Sequence, residues 1–253
     1  MSHLQGKFVW FEHLSNDIPK ARRFYEDLFG WHTEAMPMGA QSYSMIMNGS
    51  AGIGGYRDAP PGVPANWLPY LSVDDVDAAH KAAVAAGATS QMGPMDMGDV
   101  GRGAVISDPT GATVALWKSA QGDQPDVMQA PVGSFCWNEL WTGDEKKSLA
   151  FYEGVFGYGH DSKDMGPQGT YYMLTRDGQQ RGGMMRISDP KTPPMWLPYV
   201  AVADADASAA QATTLGGKVV MAPTDIPEIG RFAVVLDPLG AALAIIKLQP
   251  RAA

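Results

Sequence analysis

A tryptophan and a glutamate, separated by one residue, stand near the start of a segment that the chain contains twice. Trp10 and Glu12 recur as Trp137 and Glu139. In a strand, residues two apart project from the same face, and a glutamate among aromatic residues is rarely buried without a partner. A carboxylate in such surroundings can anchor a ligand or transfer a proton as a general acid or base. Glu12 and Glu139 are therefore the candidate catalytic residues.

Two arginines offer a second explanation for these glutamates. Arg102 and Arg231 occupy matching positions in the two copies, each directly after a glycine. An arginine paired with a buried glutamate would make the carboxylate an architectural group, and removal of one partner would cost roughly 3–5 kcal/mol. Pairing and ligand contact both stay open from the residues alone.

The composition limits what kind of protein can use such a site. The 253 residues are 45% hydrophobic, which suffices for folded cores, and they carry a formal net charge of −8. Nucleic acid binding requires a basic surface, so no nucleic acid partner is expected. No apolar run approaches the roughly 20 residues of a membrane helix, so no membrane partner is expected either. A single cysteine, Cys136, favours a reducing, cytoplasmic location.

The elements that must position these residues form a tandem duplication. Besides the Trp-x-Glu segments, the tetrapeptide WLPY occurs at 67–70 and again at 196–199. A period this long indicates duplicated domains rather than a solenoid of short units. We predict domain 1 over 1–118, a polar linker with Pro and Gly over 119–132, and domain 2 over 133–253.

Each copy is predicted to contain two units of one strand, one helix and three strands, which makes the fold class α+β. Gly30 ends the first helix, and Pro69 and Pro198 inside the WLPY strands predict an edge position or a bulge there. The first helix is predicted from apolar residues at helical spacing, namely Ala21, Phe24, Tyr25 and Leu28.

The order of these segments resembles the glyoxalase / bleomycin-resistance / dioxygenase family, also called the vicinal oxygen chelate superfamily. The segments that carry the resemblance are a strand followed by D…FY…FGW, then VDDVDAA…AAG, then GRGAVISDPTGA. They cover nearly the whole chain twice, as in tandem two-domain glyoxalase-like proteins. The resemblance implies that each pair of βαβββ units forms a curved open sheet that cups a ligand, and that the cup usually holds a divalent metal.

The family's metal-ligand positions, carried over onto this chain, hold no suitable donors. Divalent metals need oxygen, nitrogen or thiolate ligands. We therefore expect a metal-independent protein with no cofactor, which disfavours glyoxalase I and extradiol dioxygenase chemistry. The six positions implied by the resemblance are Trp10, Trp137, Leu68, Leu197, Ala115 and Ala244.

Only two other residues are candidates for metal ligands. His32 and Glu34 alternate along one predicted strand and could form a site in one repeat alone. His13, His80 and His160 are better explained as satisfied or partly exposed histidines, because His13 is matched by an apolar Leu140 in the second copy.

By the same resemblance, the Trp-x-Glu face points into the cup, which would be aromatic and rich in methionine. Such a surface suits a small, largely apolar organic molecule that a few polar groups orient, although core packing explains any one of these residues equally well. The candidate ligand-binding residues are Trp10, Trp137, Tyr70, Tyr199, Met45, Met173, Arg102 and Arg231.

Three functions remain open. The leading hypothesis is a protein that sequesters or transforms a small apolar molecule without a metal, so that its status as an enzyme is undecided. The alternatives are a metal-dependent lyase, isomerase or dioxygenase with non-standard ligands, and a scaffold whose cups are filled by side chains. One chain already supplies four βαβββ units, so we expect a compact pseudo-dimeric monomer, and higher assembly stays possible.

Overall fold

The computed structural model describes residues 2–38 and 41–249 and confirms the α+β class. Within those residues, sixteen strands form two open sheets of eight. The first repeat contains β1 Phe8–Ser15, α1 Ile18–Phe29, β2 His32–Met38, β3 Gln41–Asn48, β4 Ala51–Asp58, β5 Asn66–Ser72, α2 Val76–Ala85, β6 Thr89–Asp96, β7 Gly101–Ser107 and β8 Thr113–Ser119. The second contains β9 Phe135–Thr142, α3 Glu145–Phe156, β10 Gly159–Asp164, a 3-10 turn Gly166–Gln168, β11 Thr170–Arg176, β12 Gln179–Arg186, β13 Met195–Ala201, α4 Ala205–Thr214, β14 Lys218–Ile226, β15 Gly230–Leu236 and β16 Ala242–Leu248.

Both sheets are mixed and share one strand order. The first runs β2-β3-β4-β1-β5-β8-β7-β6, and the second runs β10-β11-β12-β9-β13-β16-β15-β14. Within a βαβββ segment the first strand pairs in parallel with the last, as β1 does with β4 and β9 with β12. The ladders β2–β3, β3–β4, β10–β11 and β11–β12 are antiparallel. The predicted order βαβββ is confirmed in all four units of the described chain.

An aspartate begins each of the four α-helices in the described residues. The carboxylates of Asp17, Asp75, Asp144 and Asp204 accept a hydrogen bond from the backbone N–H three residues later, which satisfies a donor that the first helical turn leaves unpaired. Gly30 ends α1 in the left-handed conformation, as predicted.

The prediction of an edge strand at Pro69 and Pro198 is wrong. β5 and β13 lie in the interior of their sheets. Their parallel ladders with β8 and β16 begin at Tyr70 and Tyr199, one residue after each proline. The missing proline N–H therefore falls just outside these ladders.

Close contacts divide the described chain into two compact units, each of which draws on both repeats. Unit 1 comprises the described residues of Met1–Trp10, Leu68–Asp126 and Trp137–Trp196, and unit 2 those of Phe11–Trp67, Val127–Cys136 and Leu197–Ala253. The boundaries 1–118, 119–132 and 133–253 stay a prediction for the repeats, and Met1 and residues 250–253 at their ends lie outside the described residues.

Each unit has its own apolar core beneath two helices. In unit 1, α2 and α3 contribute Val76, Ala83, Phe151 and Tyr152 to a buried cluster with the strands. In unit 2, α1 and α4 bury Tyr25 and Ala212. None of the helices in the described residues has the length and apolar character needed to cross a bilayer.

Candidate functional site

Glu12 is buried on β1 and is held by two side chains from its own unit. Its residue surface is 2% exposed. The Tyr43 hydroxyl donates to Oε1 at 3.1 Å, and Arg57 Nη1 lies 3.5 Å from Oε2. The parallel ladder between β1 and β4 sets this arrangement, because it places Gly55 opposite Glu12 and Arg57 opposite Leu14.

Glu139 occupies the matching place on β9 and is 5% exposed. Trp141 Nε1 donates to its Oε1 at 2.7 Å, and the Tyr171 hydroxyl donates to the same carboxylate. Trp137 Nε1 in turn donates to the Tyr171 oxygen at 3.0 Å. Burial and the nearby Glu139 carboxylate raise the pKa of Tyr171 well above its ordinary value, so the phenol stays neutral and keeps its proton for donation.

A glycine allows each tyrosine to reach its glutamate. Gly55 lies opposite Glu12 and Gly183 opposite Glu139. A methyl group on either glycine would overlap the hydroxyl of Tyr43 or Tyr171. This Tyr–Gly pair was not predicted from the sequence. Both residues recur at matching places in the two copies, and that match could have revealed them.

The partners of the two glutamates differ at two aligned positions. Arg57 lies opposite Leu14 in the first repeat, whereas Met185 lies opposite Trp141 in the second. The first carboxylate thus has a guanidinium beside it, and the second has an indole N–H. The first anchor thus includes a cation and the second a neutral donor, so the two differ in charge as well as in shape.

Met45 and Met173 lie beside these glycines. The antiparallel ladders put Met45 opposite Gly55 and Met173 opposite Gly183. Both methionines are partly buried, as are Trp10 and Trp137. In the second repeat, Trp137 and Glu139 lie on β9 and Met173 lies on β11, with β12 between these two strands. Their predicted contact with a ligand stays a prediction.

Arg102 and Arg231 have aspartate partners instead of the buried glutamates. Arg102 bonds Asp77 through two nitrogens at 2.6 and 2.9 Å and Asp96 at 2.8 Å. Arg231 repeats the arrangement with Asp206 and Asp225. These exposed clusters raise the arginine pKa and lower that of Asp77 and Asp206, mainly through the hydrogen bonds. The suggested pairing of Arg102 and Arg231 with the buried glutamates is thus wrong.

Tyr70 and Tyr199 are buried on the central strands. Tyr70 packs edge-on against Trp117 with ring centroids 5.7 Å apart. Tyr199 stacks on Phe232 at 6.1 Å. Their predicted contact with a ligand stays a prediction.

The donor chemistry does not fit a metal at the six positions that the resemblance implied. Leu68, Leu197, Ala115 and Ala244 are buried apolar side chains, and the indoles of Trp10 and Trp137 offer no metal-binding lone pair. Among residues 2–38 and 41–249, no three His, Cys, Asp or Glu side chains come together in a way that could hold an ion. His32 and Glu34 form an exposed pair at 3.4 Å, which is two ligands at most.

In each unit, a second set of polar groups is buried on the sheet face opposite the one that carries the glutamate. In unit 2, His13 Nε2 lies 2.8 Å from Asp237 Oδ2, and Tyr25 donates to the same oxygen at 3.2 Å. Trp67 Nε1 donates to the Tyr25 hydroxyl at 2.9 Å. Burial opposes ionisation of Asp237, but the His13 contact and backbone N–H groups outweigh it and hold the pKa of that carboxyl below its ordinary value.

Unit 1 contains the same network without the histidine. Tyr152 donates to Asp108 Oδ2 at 2.9 Å, and Trp196 Nε1 donates to the Tyr152 hydroxyl at 2.8 Å. The place of His13 is taken by Leu140, which is fully buried. Asp108 Oδ1 also accepts backbone N–H groups of the turn after β7, as Asp237 does after β15. Each aspartate thus stabilises the turn that it begins.

Cys136 has none of the features of an activated thiol. Its Sγ lies 3.5 Å from the Tyr199 carbonyl oxygen. Burial raises the pKa of the thiol to about 12, so the thiolate needed for nucleophilic attack is scarce at neutral pH.

Solved structures with the same fold include a glyoxalase and a dioxygenase. The Mn(II)-bound glyoxalase from Novosphingobium aromaticivorans matches with a TM-score of 0.64 and 16% identity over 96% of this chain and 82% of that one. The 2,2',3-trihydroxybiphenyl 1,2-dioxygenase from Sphingomonas wittichii strain RW1 matches with a TM-score of 0.65 and 16% identity over 97% and 91%. At such identity the likeness shows the fold alone.

Two relatives are similar along their whole sequences. A protein named "Putative glyoxylase CFP32" from Mycobacterium tuberculosis (strain CDC 1551 / Oshkosh) is 39% identical over 98% of this chain and 97% of its own length. The anthracycline biosynthesis protein DnrV from Streptomyces peucetius is 32% identical over 96% and 94%. The model of the Glyoxalase/Bleomycin resistance protein/Dioxygenase superfamily matches residues 7–116 and 134–245. The chain therefore belongs to the glyoxalase/bleomycin resistance protein/dioxygenase superfamily, as a tandem duplication of its fold.

Proposed function

We propose that the protein binds a small, largely apolar organic molecule against the Trp-x-Glu face of each repeat. A glutamate, rather than a metal, serves as the polar anchor. The observation that carries the proposal is that Glu12 and Glu139 are both buried and both oriented by donor side chains, Tyr43 in one repeat and Trp141 in the other. Burial of two carboxylates is expensive unless each finds hydrogen-bond donors, and a ligand can supply such a donor.

The chemistry of this face selects for a hydroxylated aromatic ligand. A fixed carboxylate accepts a hydrogen bond from a phenol or similar donor, and a charge-assisted bond of this kind is short and strong. Trp137 on β9 and Met173 on β11 supply polarisable apolar side chains on the two strands that flank β12. DnrV, which this chain resembles over 96% of its length, is named for anthracycline biosynthesis. A polycyclic phenol is therefore the class of ligand that we propose.

Transformation of the ligand is the second candidate function. The 39% identity to a protein named as a glyoxylase favours it. Glu12 or Glu139 would then accept a proton from the bound molecule and return it elsewhere, which general acid–base catalysis by a carboxylate allows. Product formation during incubation with the ligand separates this function from sequestration.

We propose that neither function uses a metal, because the six positions carry no donors. Elemental analysis of protein purified without chelators should give well under one equivalent of Zn, Ni, Mn or Fe per chain. A metal near one equivalent per repeat, lost together with ligand binding, would favour the metal-dependent alternative instead.

The test of the proposed function uses Glu12→Gln and Glu139→Gln, which keep the shape and remove the charge. The probe is 1,8-dihydroxyanthraquinone, a tricyclic phenol, followed by quenching of tryptophan fluorescence. A lost hydrogen bond to a charged group is worth about 1.5–3 kcal/mol, so each variant should weaken its site by about 10- to 100-fold. The free energy of unfolding should change by less than about 1 kcal/mol.

Glu34→Gln is the matched control, because Glu34 is exposed and lies on a strand of the same repeat. It should change neither binding nor stability. If both buried variants lose several kcal/mol of stability and neither alters affinity, the carboxylates are architectural and the proposed function is wrong.

We also propose that the protein acts in the cytoplasm as a monomer. The single cysteine suits a reducing compartment, and one chain already contains four βαβββ units. Sedimentation at micromolar concentration should give the mass of one chain.

A further inference from the structure

The two repeats present different side chains at one position of the proposed binding face. Arg57 lies two residues after Gly55, and Met185 lies two residues after Gly183. Residues two apart in a strand share a face, so both side chains project from the face on which the Tyr43 and Tyr171 hydroxyls reach the glutamates. The substitution of a cation by a thioether therefore falls within the proposed site.

The Arg57 side chain is far more exposed than the side chain of the glutamate that it contacts. The Arg57 side chain is 48% exposed, and the Glu12 side chain is 3% exposed. The contact between them is 3.5 Å long, which is at the outer limit of a hydrogen bond. A guanidinium has five N–H donors in a planar fork that matches a carboxylate. Arg57 can thus contact both Glu12 and an acidic group of a ligand.

The second repeat has no such cation at the aligned position. Met185 is apolar, and Trp141 donates to Glu139 as a neutral group. An acidic ligand group placed there would lie near the Glu139 carboxylate with no cation from this position to compensate, and like charges at close range are unfavourable. A neutral aromatic group would gain contact with Met185 and the indole rings.

We propose that the two sites of this chain select different ligands. The first binds a phenol that also carries an acidic group, such as a carboxylate, and Arg57 determines that preference. The second binds the neutral counterpart. This inference rests on the proposed function, because it assumes that ligands occupy the Trp-x-Glu faces.

The test exchanges the two residues, as Arg57→Met and Met185→Arg, and compares two probes that differ by one group. The probes are 1,8-dihydroxyanthraquinone and its 3-carboxylic acid. Arg57→Met should weaken binding of the acid by about tenfold or more, as expected for loss of a bond between charged groups, and should change binding of the neutral probe by less than about twofold. Met185→Arg should add a second site for the acid.

Arg22→Met is the matched control. The Arg22 side chain is also 48% exposed and forms an ion pair with Glu26 within α1. Its loss should leave the affinity of both probes unchanged, which separates a local effect of Arg57 from the general effect of removing one positive charge.

The outcomes distinguish the two proposals. If both probes bind, depend on Glu12 and Glu139, and lose affinity equally in Arg57→Met, the selectivity inference is overturned while the proposed function stands. If neither probe binds the wild-type chain, both proposals are overturned for this ligand class. Selective loss of the acid in Arg57→Met together with its gain in Met185→Arg supports both.

Discussion

Segments 11–67 and 137–196 bury equivalent carboxylates and satisfy them by different means. In 11–67, Glu12 has Arg57 beside it. In 137–196, Glu139 accepts from the indole of Trp141. The tyrosine that donates to each glutamate is retained in both segments, as Tyr43 and Tyr171.

The second buried acid of each unit, Asp237 or Asp108, also has different neighbours in the two units. Asp237, which packs with the first segment, has His13 beside it, whereas Asp108, which packs with the other, has Leu140 in that place. Duplication has thus kept the acids and their tyrosines, and a basic side chain, Arg57 or His13, accompanies each of the two buried acids of unit 2. The difference shows that a buried carboxylate requires donors, and that a cation is one of several ways to provide them.

The largest expected difference is between Asp237→Asn and Asp108→Asn. Asp237→Asn leaves the fully buried His13 without the carboxylate that contacts it at 2.8 Å, and loss of one partner of a buried pair should cost about 3–5 kcal/mol of unfolding free energy. Asp108→Asn alters a hydrogen bond from Tyr152 and should cost about 1–3 kcal/mol. Urea unfolding measures both. Equal losses would mean that the histidine does not distinguish the two networks.

A smaller effect, equal in the two segments, is expected for Gly55→Ala and Gly183→Ala. Each new methyl group would displace the tyrosine hydroxyl that reaches the glutamate, and overpacking of this kind costs about 1–3 kcal/mol. Gly143→Ala is the control, because a methyl group there meets no neighbouring atom. Thermal denaturation should show a loss for the first two alone. A loss at only one glycine would indicate that the two tyrosine–glutamate hydrogen bonds are not equivalent.

The smallest effect is expected for His13→Leu, which copies the residue of the second segment. Asp237 keeps its bonds from Tyr25 and the turn N–H groups, so the loss should be about 1–2 kcal/mol. Because the pKa of Asp237 is lower in the folded state than its unfolded value of about 3.9, the ionised carboxylate stabilises the folded protein above that pH. This stabilisation is lost as the pH falls below that value. The difference in unfolding free energy between wild type and His13→Leu should therefore have its full size at pH 6 and shrink below about pH 4. Urea unfolding at several pH values tests this, and a difference that grows on acidification would contradict it.

Periodicity was sufficient to predict the elements and the face that carries each glutamate. Trp10 and Glu12 lie on β1, and the helix predicted from Phe24, Tyr25 and their neighbours is α1. These features depend on residues close in sequence, for which the strand and helix periods are a direct guide. The same pattern left open whether the glutamates are buried, and the structure shows that both are.

The partners of the glutamates could not be predicted in the same way. Arg57 is 45 positions from Glu12 and meets it only through the parallel register of β1 and β4. Arg102 was an attractive partner because it repeats, yet the fold brings it to Asp77 at the start of α2. Register and crossover connections decide such pairs, and neither is encoded in local periodicity.

Unit 2 combines segments that are far apart in the chain, and this has a consequence for its synthesis on the ribosome. His13 and Asp237 are 224 residues apart in the chain. At roughly 5–20 residues per second, the partner of His13 is made about 10–45 s after it. Unit 1 draws on segments that are complete once Trp196 has been made, so it can close first. The apolar face of α1 must wait for the last segment, and chaperone binding to the nascent chain should concentrate on 11–67.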